Sequence, residues 1–364
     1  MKFNNREKGN DVMKTLGKLA VGMLASVAML PQAIGASAAE LNLLTWEGYA
    51  PDSYIPKFEE ASGCKVTAAY VGSNDDFAAK LAAGGGVYDI ITPSLDTVPV
   101  MYQAGFVEPI DTAKVEGFDG IYPEYSKESA VVADGSTWAI PLVWGSISLI
   151  YRPDKFETKP DSISVLFDPA LKGKIALWDD KSALYWTARL LGYDNLFDLS
   201  DEQLDAIKAK LIEQKPLIRK YWTSAGELTE LMANEEVYVS NAWTGLTSKD
   251  VNALNKGFTV AEFAPKEKAE GWMDSMMVVK DSPNIDCAYK FMSFMQSAEG
   301  QCGIAESTGY FPVNPAAVQG CMDDTMKQER QVGNIDFVKS LIMWELPKRL
   351  DKYIETWNAV KAAP

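Results

Sequence analysis

Short apolar runs with strand character alternate with helical segments from residue 41 onward. Residues 41–46 and 64–71 are predicted as strands, and residues 53–62 between them are predicted as a helix that ends at Gly63. A second series of this kind begins with a predicted strand at 174–178. Such alternation is typical of a largely parallel sheet covered by helices. The sequence therefore predicts an α/β fold, and its 364 residues favour two lobes over one small core.

Large aromatic rings stand at or just beyond the ends of five predicted strands: Trp46, Trp144, Trp178, Trp243 and Trp272. Because ligands of open α/β sheets bind outside the carboxyl ends of the strands, these rings indicate one aromatic-lined pocket. The other interpretation is that each ring simply closes the end of a core. Carboxylates at Glu47, Asp180 and Asp274 lie close in sequence to three of the rings and favour the binding interpretation.

Histidine does not occur in the sequence, so the commonest general base and the commonest zinc ligand are both missing. We expect no catalytic residues, no metal and no cofactor. The four cysteines show no Cys-x-x-Cys spacing, which favours disulfides over metal binding or redox catalysis. Cys302 and Cys321 bracket an apparently turn-rich segment and are the preferred pair, while pairing of Cys64 with Cys287 stays open.

The N-terminus reads as a secretory signal, with Lys14 and Lys18 ahead of an apolar stretch and Ala36-Ser37-Ala38 as the cleavage pattern. Residues 1–38 are therefore predicted to be a signal peptide, and we expect a soluble exported protein. A membrane anchor is disfavoured because the apolar run is short and contains Pro31. The net charge of −15 makes nucleic acid an unsuitable partner.

Several motifs, taken in order, resemble those of the periplasmic spermidine/putrescine-binding proteins that serve ABC importers. The motifs are Trp46 with Tyr49, Tyr88-Asp89-Ile90 leading to Pro93-Ser94, Trp178-Asp179-Asp180, Trp243-Thr244-Gly245, Trp272-Met273-Asp274-Ser275 and Thr308-Gly309-Tyr310. The resemblance implies a two-lobed periplasmic-binding-protein fold of type II with the ligand cleft between the lobes. Lobe 1 is expected to comprise residues 39–144 plus 274–318, and lobe 2 residues 145–273 plus 319–364. It also implies a small amine or polar solute as ligand and an inner-membrane ABC permease as partner, and we expect a periplasmic monomer.

Carried over residue by residue, the resemblance and the strand-end argument give one set of candidate ligand-binding residues. The set is Trp46, Glu47, Ser94, Asp96, Trp144, Asp180, Trp243, Trp272, Asp274, Tyr310 and Glu345. Asp274 is expected to be the main partner of an ammonium group, and Trp243 and Trp272 are expected to enclose the aliphatic part. An ammonium over an indole face gains roughly 0.5–2 kcal/mol, and a carboxylate accepts its N–H donors.

The sequence departs from the resembling family at three positions. Ala183 stands where polyamine binders carry a glutamate, Leu246 where some carry an aspartate, and Asp96 where an aromatic residue is usual. Because a buried unpaired ammonium costs several kcal/mol, a polyamine needs carboxylates at both ends. A short diamine, a monoamine or another small polar solute is therefore expected to fit better than spermidine.

Two other functions stay open at the level of sequence. The same fold could bind a zwitterionic or anionic solute, which requires an arginine or several main-chain N–H donors in the pocket. Arg152 and Arg189 are the nearest candidates but are expected to face solvent. A secreted glycoside hydrolase is the second alternative, and it requires Asp180 and Asp274 to face each other across the cleft.

Overall fold

The computed structural model describes residues 39–84 and 87–364, so the predicted signal peptide lies outside the described residues. Fourteen strands are present in this part of the chain. They are β1 (Ala39–Trp46), β2 (Cys64–Val71), β3 (Ile90–Ile91), β4 (Val107–Glu108), β5 (Val132–Ala133), β6 (Ser136–Thr137), β7 (Ile140–Tyr151), β8 (Ile175–Trp178), β9 (Ile218–Trp222), β10 (Val239–Trp243), β11 (Ala261–Phe263), β12 (Glu270–Val279), β13 (Phe311–Pro312) and β14 (Ile342–Met343).

The main sheet repeats one topology twice. Its strand order is β2-β1-β3-β12-β7-β10-β8-β9. In the first half β1 pairs in parallel with β2 and β3, and β12 joins antiparallel to β3. In the second half β8 pairs in parallel with β9 and β10, and β7 joins antiparallel to β10. The two halves thus have equivalent strand orders, and the prediction of an α/β type II fold is confirmed.

Strands β7 and β12 pair with each other where the two halves of the sheet meet. They are antiparallel from Glu270 opposite Ile147 to Met276 opposite Ile140, with an irregularity between Asp274 and Ser275. Both strands are continuous and buried along their whole length. Two of the three predicted lobe boundaries, 144/145 and 273/274, fall on these two strands, and the assignment of residues to lobes remains a proposal.

Helices cover the faces of the sheet. They are α1 (Ile55–Ser62), α2 (Asn74–Ala82), α3 (Val98–Gln103), α4 (Pro123–Ser126), α5 (Ala183–Leu190), α6 (Asp201–Gln214), α7 (Ala225–Ala233), α8 (Leu246–Ala253), α9 (Ile285–Met295), α10 (Ala298–Thr308), α11 (Asp324–Glu329), α12 (Ile335–Ser340) and α13 (Leu350–Ala362). Helix α1 begins with a proline in its first turn and ends at Gly63, whose φ of 74° is the left-handed conformation that glycine adopts readily. None of the helices described is long and apolar enough to cross a membrane.

Two disulfides tie helices to neighbouring elements. Cys302 is bonded to Cys321, as the sequence predicts, and Cys64 is bonded to Cys287, the pairing that the sequence leaves open. The second bond joins β2 to α9 across 223 positions of sequence. The segment after Cys302 is not turn-rich throughout, because Cys302 lies within α10, which continues to Thr308.

Candidate functional site

Aromatic residues end the parallel strands on one edge of the sheet. Trp46 is the last residue of β1, Trp178 of β8 and Trp243 of β10, so the carboxyl ends of these strands bring the three rings together. They line one cavity with residues from other elements. The lining residues are Trp46, Tyr49, Ser94, Trp178, Trp243, Trp272, Asp274, Tyr310 and Trp344.

The rings of the cavity contact one another closely. The ring centroids of Trp46 and Trp243 are 5.7 Å apart, those of Trp178 and Trp243 5.2 Å, and both pairs meet edge to face. On another side Trp272 meets Tyr310 edge to face at 4.7 Å. The space open to the centre of a water molecule is about 20 Å³, little more than the roughly 10–15 Å³ that one bound water requires. The walls therefore must separate to admit a solute.

Most of the indole N–H groups are hydrogen-bonded to oxygen atoms of the protein. Trp46 Nε1 donates to the carbonyl of Thr92 at 2.8 Å, and Trp178 Nε1 donates to the carbonyl of Gly72 at 2.9 Å. Trp344 Nε1 donates to a carboxylate oxygen of Glu270 at 2.9 Å. By contrast, the buried Nε1 of Trp272 has no hydrogen-bond partner among the described residues.

Asp274 is the carboxylate that lines the cavity. It lies in β12 at the irregularity in the pairing with β7, where its backbone also bridges to Ser94. Ser94 Oγ donates to one oxygen of Asp274 at 2.5 Å, and the hydroxyl of Tyr49 donates to the other. Burial raises the pKa of Asp274 from 3.8 to about 7, although both hydrogen bonds act to lower it. A cation in the cavity would stabilise the charged form of this carboxyl group.

The structure brings six of the predicted site residues together at this cavity: Trp46, Ser94, Trp243, Trp272, Asp274 and Tyr310. The other five are not among its lining residues: Glu47, Asp96, Trp144, Asp180 and Glu345. The sequence argument therefore gives the position of the cavity and most of its wall but includes side chains that have other partners.

Trp144 and Glu345 lie outside the wall of this cavity. Trp144 lies within β7 and packs into the core against Phe311, with ring centroids 4.7 Å apart. Its strand continues past it, so the ring is not at a strand end. Glu345 is exposed at a groove, and its neighbour Trp344 enters the cavity wall instead.

Asp96 and Asp180 belong to a buried charge cluster outside the cavity wall. Lys181 Nζ lies 3.5 Å from an oxygen of Asp96 and 3.6 Å from one of Asp75. Asp180 accepts a hydrogen bond from the backbone N–H of Ser182 at 2.7 Å, and burial raises its pKa to about 6. Burial acts to lower the pKa of Lys181, but the three carboxylates together raise it above its ordinary value. The ammonium group of Lys181 is therefore an internal counter-ion for these carboxylates.

Glu47 and the two arginines also have protein partners. A carboxylate oxygen of Glu47 accepts from the backbone N–H of Gly226 at 3.2 Å. The expectation that Arg152 and Arg189 face solvent is wrong, because both are buried. Arg152 pairs with Asp154, and Arg189 lies 3.3 Å from Glu270. Neither arginine lines the cavity.

The candidate ligand-binding residues taken from the sequence leave out Tyr49, Trp178 and Trp344. Each of them had a signal: Tyr49 belongs to the motif that begins at Trp46, Trp178 ends a predicted strand, and Trp344 precedes Glu345. The last case is a shift of one residue in an irregular segment, where no strand or helix period fixes the direction of the side chain.

The described residues contain no group of three or more His, Cys, Asp or Glu side chains that could hold a metal ion. What the cavity offers a ligand is a set of aromatic rings, one carboxyl group and a few hydroxyl and indole N–H groups.

Comparison with known proteins gives consistent similarities. The family model of bacterial extracellular solute-binding proteins matches residues 53–333. The chain is 26% identical to a putrescine-binding periplasmic protein of Pseudomonas aeruginosa, over 96% of this chain and 100% of that protein. It is 28% identical to a spermidine/putrescine-binding periplasmic protein of Escherichia coli, over 78% and 82% of the two chains. A putative spermidine/putrescine ABC transporter structure from Listeria monocytogenes superposes with a TM-score of 0.80 at 28% identity, covering 89% of this chain and 99% of the other.

Proposed function

The chain belongs to the bacterial extracellular solute-binding protein family, and from this premise we propose that it is a periplasmic receptor that delivers a small, singly charged, amine-bearing solute to an ABC importer. The observation that carries the proposal is the enclosure of one carboxyl group, Asp274, by seven aromatic side chains. Indole and phenol rings attract cations through their negative faces, and a carboxylate supplies the countercharge.

The single charge of the solute follows from the charge cluster beside the cavity. A diamine needs a carboxylate at each end, because an unpaired ammonium is costly to bury. Asp96 has Lys181 as a neighbour at 3.5 Å and is not part of the cavity wall. Asp274 then remains as the one carboxyl group of the cavity wall within the described part of the chain. The named relatives bind putrescine or spermidine, and this cavity has charge compensation for one ammonium group.

Capture requires the walls of the cavity to separate and then close. Hydrogen bonds from Trp178 to Gly72 and from Gly226 to Glu47 connect segments from the two halves of the sheet around the cavity. A solute that touches β1, β10 and β12 together stabilises this closed arrangement, since its affinity for the closed form exceeds that for the open form. The proposal includes export by cleavage after residue 38, a monomeric state and a permease that recognises the closed form.

We propose a receptor and not a hydrolase for a geometric reason. Glycoside hydrolases use two facing carboxyl groups about 5–10 Å apart. Asp180, the intended partner of Asp274, is engaged with Ser182 and is not part of the cavity wall. A zwitterionic solute would need a cationic side chain that the wall does not contain, since Arg152 and Arg189 are paired with carboxylates elsewhere.

Calorimetric titration of the purified protein tests the function. A panel of monoamines, diamines, amino acids and dicarboxylates is compared, and at least one monoamine is expected to bind in a 1:1 complex. Asp274→Ala and Trp243→Ala should abolish that binding, whereas Glu345→Ala, an exposed side chain outside the cavity wall, should not change it. Saturable binding of an acidic solute with no response to any amine would contradict the proposal.

A further inference from the structure

Resting on the proposed function, we infer that the solute is a compact quaternary ammonium ion that also carries an oxygen acceptor. The nitrogen of such an ion is bonded to four carbon atoms and has no N–H group. The inference depends on which hydrogen-bonding groups of the cavity are already used and which are not.

The carboxylate of the cavity already uses about half of its roughly four acceptor sites within the protein, which leaves fewer than the three N–H donors of a primary ammonium require. Each oxygen of Asp274 already accepts a hydroxyl hydrogen bond, one from Ser94 and the other from Tyr49. A primary ammonium brings three N–H donors, all of which need acceptors once they are buried. A quaternary ammonium brings no donor and still gains the attraction of the carboxylate charge.

The aromatic wall is suited to an ion of this kind. Because the N–H groups of Trp46, Trp178 and Trp344 donate to protein oxygen atoms, what these side chains have left for a ligand is the π-system. Rings that surround a cation on several sides are the known means by which proteins bind methylated ammonium groups. Ring centroids 5.2–6.4 Å apart already bring Trp46, Trp178 and Trp243 to one place.

The oxygen acceptor follows from Trp272. Its side chain lines the cavity and is 4% exposed, and its Nε1 has no partner among the described residues. A buried N–H without an acceptor is unfavourable, so a ligand oxygen that accepts from it contributes to affinity. A hydroxyl oxygen on a short chain attached to the ammonium group provides that acceptor without adding a negative charge.

A matched set of probes tests the inference on the unaltered protein by calorimetric titration. Choline is a quaternary ammonium alcohol, ethanolamine is its primary-amine counterpart, and 3,3-dimethylbutan-1-ol is its uncharged isostere. Choline should bind at least tenfold more tightly than ethanolamine, and the uncharged isostere should not bind measurably. Putrescine should bind more weakly than choline, because the cavity compensates one positive charge.

The outcomes separate this inference from the proposed function. Ethanolamine or putrescine binding as tightly as choline would overturn the quaternary assignment and leave the amine receptor standing. Binding of the isostere as tightly as choline would overturn the assignment as well, since the cation would not be what is recognised. If no amine of any class binds, the proposed function and the inference fail together.

A pair of variants at Trp243 gives a second test of the inference. Trp243→Phe keeps an aromatic face and should lose less than tenfold in choline affinity, while Trp243→Leu should lose at least tenfold. Circular dichroism shows that each variant is folded before titration. Equal choline affinity in the two variants would overturn the role of the ring.

Discussion

At the scale of single residues, the central feature is a carboxyl group that the protein buries at an energetic cost. Asp274 lies in a wall of aromatic rings with two hydroxyl donors, and burial raises its pKa to about 7. The free protein thus holds this group partly protonated near neutral pH, and a bound cation favours the charged form.

Affinity for a cationic solute is expected to depend on pH. The cation binds the deprotonated Asp274, so protonation below about pH 7 competes with binding. The association constant should fall by up to tenfold for each pH unit below 7 and level off above it. Titrations between pH 5.5 and 8.5 measure this slope. The Asp274→Asn variant is the control, and a wild-type slope retained in that variant would refute the assignment.

The same group is expected to weaken the ligand-free fold at high pH. The pKa of Asp274 is about 7 in the folded protein and 3.8 ordinarily, so the folded state binds this proton more tightly than the unfolded state does. The stability gained from that proton is lost as pH rises from 3.8 to about 7. Asp274→Asn should therefore be more stable than wild type at pH 8 by a few kcal/mol at most, since one pKa unit corresponds to about 1.4 kcal/mol. At pH 4 the gain should vanish. Thermal unfolding at both pH values measures it, and a gain of equal size at both would contradict the account.

Residue-level prediction from sequence works where a side chain directly follows a regular element. Trp46 and Trp243 end parallel strands, so the sheet itself directs them to the cavity. Sequence does not show that Asp96 lies outside the cavity wall, because nothing in the local sequence indicates that Lys181 lies 3.5 Å away. The same holds for Glu345, where the irregular segment gives no period from which to choose between neighbouring side chains.

At the scale of elements, the pairing of β7 with β12 positions Trp272 in the cavity wall. Gly145 on β7 is directly opposite Trp272 on β12. A Cβ atom at Gly145 would lie 2.5 Å from the Trp272 ring, which is closer than real Cβ contacts allow. The glycine therefore permits the ring to lie across the neighbouring strand, at the edge of the cavity.

Substitution at this glycine is expected to affect binding. Gly145→Ala should displace the Trp272 ring and reduce affinity for the solute at least tenfold, because the ring can no longer occupy its place in the wall. Gly320→Ala is the matched control, since a Cβ there meets no atom within 4 Å. Titration of both variants measures the effect. Unchanged affinity in Gly145→Ala would show that the ring position is unimportant.

The elements themselves are predicted from sequence to different degrees. Strand β2 has a clear period and clear ends, and its bounds agree with the predicted range 64–71. Helix α10 is missed because Gly300 and Gly303 lower its helix propensity. The reason for Gly303 is tertiary, since a Cβ there would lie 2.6 Å from the ring of Tyr54. Packing against a residue 249 positions away cannot be read from the local pattern.

At the scale of the whole molecule, the two disulfides close chain segments of very different length. Cys64–Cys287 spans 223 positions and Cys302–Cys321 spans 19. If a disulfide acts mainly by restricting the unfolded chain, the longer loop contributes more stability, by roughly 2 kcal/mol.

Removal of each disulfide by paired Cys→Ser substitution is expected to separate the stability contribution of the long loop from that of the short loop. The Cys64→Ser/Cys287→Ser variant should lose more free energy of unfolding than the Cys302→Ser/Cys321→Ser variant, and both should retain solute affinity, because neither bond lines the cavity. Denaturant unfolding gives the first quantity and calorimetry the second. A larger loss in the short-loop variant would contradict the entropic explanation.

The repeated topology of the sheet explains why the cavity lies where it does. Parallel strands of both halves end at the same place, so β1 supplies Trp46 while β8 and β10 supply Trp178 and Trp243. This much is implied by the alternation of strands and helices in the sequence. The closeness of the rings is not implied, because it depends on how the two halves approach each other through β7 and β12.

A crystal structure of the protein with its tightest-binding amine tests the central claim most directly. The account predicts that the ligand nitrogen lies within about 6 Å of the ring centres of Trp243 and Trp272, with Asp274 as the nearest carboxylate. A ligand bound outside this cavity, for example in the groove beside Glu345, with the aromatic rings still in contact with one another, would contradict it.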